Sequence, residues 1–231
     1  MSQKILIVED EPPLVGILEY LFRDEGYEVI VAYDGETGLE LAREEKPSLV
    51  VLDVMLPNMS GFEVCNHLRR FTTIPVIILS AKDHDEDVIK GLEIGADDYM
   101  TKPFNHRELV LRVKKLLGRI NSRGSSEPLE IGDIVIHIAQ KQVFFKGELI
   151  TLTPTEFKLL TCLAENEGRV LSWESLLNEV WGYENHEGGN ELVKVNIRRL
   201  RKKLEVDPAH PVYLVNIWGM GYKLTGSNVA K

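Results

Sequence analysis

Cysteine is scarce. Only Cys65 and Cys162 occur in 231 residues, one in each half of the chain. Two thiols so far apart make neither a disulfide framework nor a metal-ligand spacing, and they fit a reducing cytosol. Long apolar runs are missing too. The longest, such as residues 49–52 and 76–79, fall far short of the ~20 residues that a membrane span requires. The opening MSQKILIVEDE turns acidic after four apolar residues and lacks a secretory-signal pattern. With 44% hydrophobic and 27% charged residues, wholesale disorder and a collagen-like chain are excluded. The length suits one large domain or two of roughly 100–120 residues.

An excess of positive charge is also absent. The net charge is −9, which argues against nucleic-acid binding until it is divided along the chain. Residues 1–120 hold 14 Lys/Arg against 22 Asp/Glu, a net of −8, whereas residues 121–231 hold 13 against 14, a net of −1. Residues 194–203 contain six basic side chains and no acid. Local charge, not the total, steers association.

The first half alternates apolar runs with helical patterns. Strands are expected at 4–8, 28–32, 49–52, 76–80 and 98–101, and most are apolar throughout, as strands covered on both faces are. Helices are expected at 13–25, 35–45, 61–71, 85–94 and 105–117. This alternation predicts a doubly wound, five-stranded parallel sheet in an α/β domain spanning residues 1–120. Residues 121–128 are polar, with Gly, Ser and Pro, and read as a linker. An α+β domain is expected over 129–226, ahead of a short tail at 227–231. It has short alternating strands over 129–150, helices at 154–166, 172–180 and 190–204, and a final pair of strands near 212–217 and 222–224.

Sites on parallel sheets lie beyond the carboxyl ends of the strands. Glu9 and Asp10 end the first strand, Asp53 the third and Ser80 the fourth, and Lys102 follows the fifth. Converging carboxylates repel unless a cation joins them, and an all-oxygen set with open positions suits Mg²⁺. Lys102 is placed to pair with the central carboxylate or with a phosphoryl oxygen, and Ser80 to bond another. The chemistry favoured is phosphoryl transfer onto Asp53. Each acid alone would pass for a helix-capping loop residue; five chemically matched residues at the strand ends would not.

Four strings carry a resemblance. ILIVED at 5–10, VLDVMLP at 51–57, LSA at 79–81 and GADDYMTKPF at 95–104 resemble the receiver domain of two-component response regulators. The resemblance implies a flavodoxin-like fold with Asp53 as phosphoacceptor and a sensor histidine kinase as donor. It implies that Asp10, Asp53 and the Met55 carbonyl hold Mg²⁺, with Glu9 assisting. Lys102 corresponds to the phosphate-contacting lysine, and Lys102–Pro103 to a bond that is usually cis. Ser80 and Tyr99 match a switch pair in which the tyrosine swings inward; otherwise Tyr99 is a half-buried ring at the sheet edge. Glu93, Asp97 and Asp98, set against Arg112, Lys114 and Lys115, match a face that cross-pairs in a two-fold dimer after phosphorylation. Val88 departs from the pattern, standing where the family often has a basic partner for the acid at Glu108.

In the helix at 190–204, Val193, Ile197, Leu200 and Leu204 step by four, three and four, forming one apolar stripe. The opposite pole carries Glu191, Val195, Arg198, Arg199 and Lys202, flanked by Lys194 and Arg201. A cationic helix edge of this kind fits a major groove ~12 Å wide. LTPTEF at 152–157, GRVLS at 168–172, IRRLRKKL at 197–204 and GMGY at 219–222 resemble the winged helix–turn–helix output domain of the OmpR/PhoB family. The resemblance makes 190–204 the recognition helix on double-stranded promoter DNA, with residues 217–221 as the wing tip and Tyr222 at the DNA backbone. Residues 183–189 match a segment that contacts RNA polymerase in some relatives. Glu191 departs from a common Arg, Asn196 from a common His and Trp218 from a wing Arg, and Lys194 stands at a position that is often acidic. The expectation is a cytoplasmic, phosphorylation-dependent transcription factor, not an enzyme. The alternatives are an RNA- or protein-docking module and an aspartyl-phosphate phosphohydrolase, although Met55 stands where such a hydrolase places its second acid.

Overall fold

The computed structural model describes residues 3–81, 85–118, 127–183 and 189–226, with the backbone alone given for 85–88. The chain divides into two compact units, Met1–Gly118 and Arg119–Lys231. Most of the expected linker and the tail at 227–231 lie outside the described residues.

The first unit runs β1 (Lys4–Val8), α1 (Pro12–Asp24), β2 (Glu28–Ala32), α2 (Gly35–Glu44), β3 (Leu49–Asp53), α3 (Gly61–Arg69), β4 (Val76–Ser80), α4 (Asp85–Ile94), β5 (Asp98–Thr101) and α5 (His106–Leu117). The strands pair in parallel in the order β2-β1-β3-β4-β5. Ile5, Ile7, Leu49, Val51, Ile77 and Leu79 point to one face, where Leu18 and Phe22 of α1 and Leu109 and Val113 of α5 cover them. The alternate residues Leu6, Leu52 and Ile78 are equally buried, and α2 and α3 pack on β1 and β3. Burial on both faces explains why these strands are apolar at every position. The order reverses between β1 and β3, which opens a crevice at their carboxyl ends.

The second unit runs β6 (Leu129–Ile131), β7 (Ile134–His137), β8 (Gln142–Phe145), β9 (Glu148–Ile150), α6 (Pro154–Glu165), α7 (Trp173–Trp181), α8 (Gly189–Leu204), β10 (Leu214–Ile217) and β11 (Gly221–Leu224). The first four strands form an antiparallel sheet and the last two a hairpin. Thr153 and Glu156 close a reciprocal cap on α6, with Pro154 in its first turn. β10 begins two residues later than the apolar pattern suggests. Val212 and Tyr213 give their N–H groups to the Glu205 carboxylate instead of to a strand.

Candidate acidic site and nucleic-acid interface

Three carboxylates meet at the crevice. Oxygens of Glu9, Asp10 and Asp53 lie within 4.8 Å of one another; Glu9 and Asp53 are buried and Asp10 is exposed. Lys102 reaches in from the end of β5 and places its Nζ 2.8 Å from Glu9 Oε2 and 2.8 Å from Asp53 Oδ1. The Met55 N–H donates to Asp53 Oδ2 at 2.9 Å. Buried Asp53 Oδ1 receives no well-directed hydrogen bond, only the ammonium charge. An all-oxygen donor set with an under-bonded buried carboxylate oxygen fits a hard cation such as Mg²⁺. Burial raises the Glu9 carboxyl above its ordinary range, against the pull of Lys102. Burial opposes the charge on Lys102, yet its bonds to Asp53 and Glu9 prevail and hold its pKa above the ordinary value.

The backbone around Asp53 is closely fitted. A Cβ on Gly61, the first residue of α3, would stand 2.0 Å from the Asp53 carbonyl oxygen, so only glycine fits there. Ser80 is fully buried at the end of β4, and its carbonyl accepts the Lys102 N–H at 2.6 Å. Lys102–Pro103 is a cis peptide.

In the second unit, α8 lies against α6, α7 and the hairpin, and these neighbours sort its six bases. Lys194, Arg198 and Lys202 are exposed, four residues apart and therefore in line. Lys194 also bonds Glu191 at 2.6 Å. The other three bases turn inward. Arg199 and Lys203 pair with fully buried Glu156 at 3.1 and 2.6 Å. Arg201 donates twice to the Leu214 carbonyl. Two expected DNA contacts are corrected: Val195 and Asn196 are buried, and the Asn196 amide bonds the Leu192 carbonyl one turn back. The apolar side of α8 is wider than the single stripe because three elements enclose it. Tyr222 is also mostly buried, standing among the charges of Arg201, Lys194, Glu191 and Arg198. Trp218, at the hairpin tip, is 93% exposed.

Residues 5–114 match the family model for the response regulator receiver domain, and residues 147–224 that for the C-terminal domain of transcriptional regulatory proteins. The crystal structure of response regulator DrrB, a Thermotoga maritima OmpR/PhoB homolog, is 38% identical, covers 97% of this chain and 100% of that one, and has a TM-score of 0.52. This chain belongs to the OmpR/PhoB family of response regulators. A RitR mutant is 30% identical over 97% of this chain and 99% of its own, with a TM-score of 0.73. A Francisella receiver domain is 37% identical over 51% of this chain and 98% of its own, with a TM-score of 0.50.

The regulator couples a phosphorylation-dependent receiver to a DNA-binding domain and controls transcription. Its receiver implies a histidine kinase partner. Receiver domains bind Mg²⁺ at an acidic cleft, and the Glu9–Asp10–Asp53 cluster is such a cluster. Nothing observed favours the docking-module or phosphohydrolase alternatives. No helix among the described residues is long and apolar enough to cross a membrane.

The regulator's expected dimer face divides into three groups. Asp97 is fully buried and bonds Arg69 and the Val76 N–H, tying α3 to β4 and β5. Asp98 and Arg112 are buried against each other at 2.7 Å, and Arg112 also bonds Glu108. Both pairings are internal to one chain, so these three residues are not members of an open solvated face. Lys114 is exposed but pairs with Glu25, on the side of α1. Glu93 and Lys115 are exposed. Leu111 of α5, one turn before Lys115, is 54% exposed, an apolar residue out of phase with the buried Leu109, Val113 and Leu116. Tyr99 is 5% exposed with its ring bordering Gly91 of α4, more buried than an edge-filling ring. The Val88 side chain and most of the loop at 183–189 lie outside the described residues.

Proposed function

We propose that Asp53 is the phosphoacceptor of this regulator, charged by a sensor histidine kinase in the cytoplasm. The observation that carries the reading is one ammonium shared by two buried carboxylates, beside a third exposed one, at the strand ends of a doubly wound sheet. A carboxylate oxygen of Asp53 attacks the donor's phosphorus, the bond from phosphorus to the donor nitrogen breaks, and that nitrogen leaves with its electron pair and is protonated. Asp10, Asp53 and the Met55 carbonyl would hold Mg²⁺, with Glu9 assisting; when bound, the ion would supply positive charge against the phosphoryl oxygens. Lys102 then exchanges part of its carboxylate pairing for a phosphoryl oxygen, and Ser80 bonds another. The new charge of about −1.5 to −2 biases the packing of Tyr99 beneath α4.

The regulator is not an enzyme in this reading; the phosphoryl group is a signal held on the chain. Exposed Lys194, Arg198 and Lys202 release counterions from DNA phosphates, while Trp218 and Tyr222 lie at the wing. Dimerisation through the α4–β5–α5 face sets two α8 helices on repeated half-sites, and RNA polymerase is a further partner of the DNA-bound regulator.

Asp53→Asn tests the reading. The intact chain takes label from a small phosphodonor in the presence of Mg²⁺ and the label maps to Asp53, whereas the variant takes none. Label of unchanged amount in the variant would overturn the assignment.

A further inference from the structure

The hairpin β10–β11 ends in a tip that carries no charge from Asn216 to Gly221. Trp218 is 93% exposed and Met220 62%. A tight turn, closed by the Met220 N–H on the Ile217 carbonyl at 2.9 Å, holds the two side chains on either side of Gly219. Exposure on this scale gives an indole no part in a core, and large exposed apolar groups mark contact sites.

The tip stands on a fixed base. The Glu205 carboxylate takes the N–H groups of Val212, Tyr213 and Leu214 at 2.9, 2.9 and 2.8 Å. Arg201 grips the Leu214 carbonyl from one turn earlier on α8. At the other leg, Leu171 and Tyr222 exchange two backbone bonds of 2.9 Å. A Cβ on Gly221 would stand 2.0 Å from the Leu171 carbonyl oxygen, so strand and segment are in closest approach. The hairpin therefore runs from the C-terminal end of α8 at Arg201 toward Tyr222, which lies near Lys194 and Arg198. The tip at 218–220 continues the hairpin past Tyr222 in that direction.

We propose that Trp218 and Met220 form an apolar wedge that enters the minor groove of duplex DNA beside the α8 contact, parts a base step and bends the duplex. The proposal rests on the DNA-binding reading of α8 and goes beyond it. Apolar side chains part base steps elsewhere at a cost of a few kcal/mol per step, which a mobile loop cannot deliver and a hairpin bolted to α8 can. Charge complementarity and continuity with the α8 face identify the occupant as DNA: three cations in line seat the phosphates next to an uncharged tip. Pyrimidine–purine steps open most easily, so the wedge selects them at a fixed offset from the α8 half-site.

The test uses end-labelled duplexes that the full-length regulator itself recovers from a random-sequence pool. Energy transfer between the duplex ends reports bending, and titrations at several salt concentrations report affinity. With the intact chain the ends draw together, and recovered sequences carry a TA or CA step at a constant offset. Trp218→Ala lowers affinity about tenfold, abolishes the bend and erases the step preference, with the salt slope unchanged because no charge is lost. Trp218→Arg regains affinity with a steeper salt slope and stays unbent. Equal affinity, bend and step preference in Trp218→Ala would overturn the wedge while leaving DNA binding intact. Bending lost together with a changed salt slope would overturn it too, since α8 itself would then have shifted. Failure of the intact chain to recover any duplex would overturn the underlying reading of α8.

Discussion

Lys102 serves two buried carboxylates with one ammonium, and to its charge on Glu9 the Glu11 N–H adds a hydrogen bond of 3.3 Å. Removal of Lys102 leaves two acids desolvated and close enough to repel. Lys102→Ala is therefore expected to destabilise the receiver by about 3 kcal/mol, the usual cost of orphaning a buried ion pair. Urea unfolding of the full chain checks this. Added Mg²⁺ should recover more stability in the variant than in the intact protein, because a cation that binds only the folded cluster replaces the lost charge. A variant as stable as the parent, or one indifferent to Mg²⁺, would mean that the carboxylates are not coupled as the geometry indicates. This part of the site was legible from sequence because each of its residues sits at a strand end, where β topology alone brings distant positions together. Gly61 was not legible. Its role depends on a close approach to the Asp53 carbonyl that no spacing rule reveals.

At the scale of elements, α8 shows where a helical projection stops. The angle of a side chain about one axis says which way it leaves the helix, not what it meets. Arg199 and Lys203 leave toward Glu156, which α6 supplies from 43 and 47 positions earlier, and Arg201 toward the Leu214 carbonyl of β10. For the same reason sequence alone places Asp97, Asp98 and Arg112 among surface charges, whereas each meets a partner on a neighbouring element. The exposed line makes a sharper test than total basicity. Replacing both Arg198 and Lys202 by Ala should reduce the slope of log affinity against log salt by about 2, at ~0.9 per phosphate contact. Arg199→Ala should leave that slope nearly intact and instead lower the unfolding midpoint, since it strips a partner from buried Glu156. Filter binding across a salt series and thermal unfolding together separate the two effects. The strands and helices themselves were readable to within a few residues, because continuous apolar runs and capped amphipathic patterns leave little choice. The boundary at β10 was not, since Glu205, the residue after α8, takes the N–H groups that would have extended the strand.

For the whole molecule, each unit encloses its own buried core. In the proposed reading, self-association of phosphorylated chains carries the signal, and Glu93 and Lys115 are exposed members of the expected face. Glu93→Lys and Lys115→Glu should each weaken association of the phosphorylated chain, and the two together should restore it, because a two-fold face re-pairs reversed charges. Sedimentation velocity reads this directly; a double variant no better than either single one would refute the pairing. The fastening of the hairpin by Arg201 and Glu205 has a practical result for anyone exchanging parts between relatives. A transplanted loop brings its tip but not its anchorage, so a chimera cut between α8 and β10 inherits a mismatched seat. Swaps that carry the last turn of α8 along with the hairpin keep the joint whole and are the ones from which altered operator choice can be interpreted.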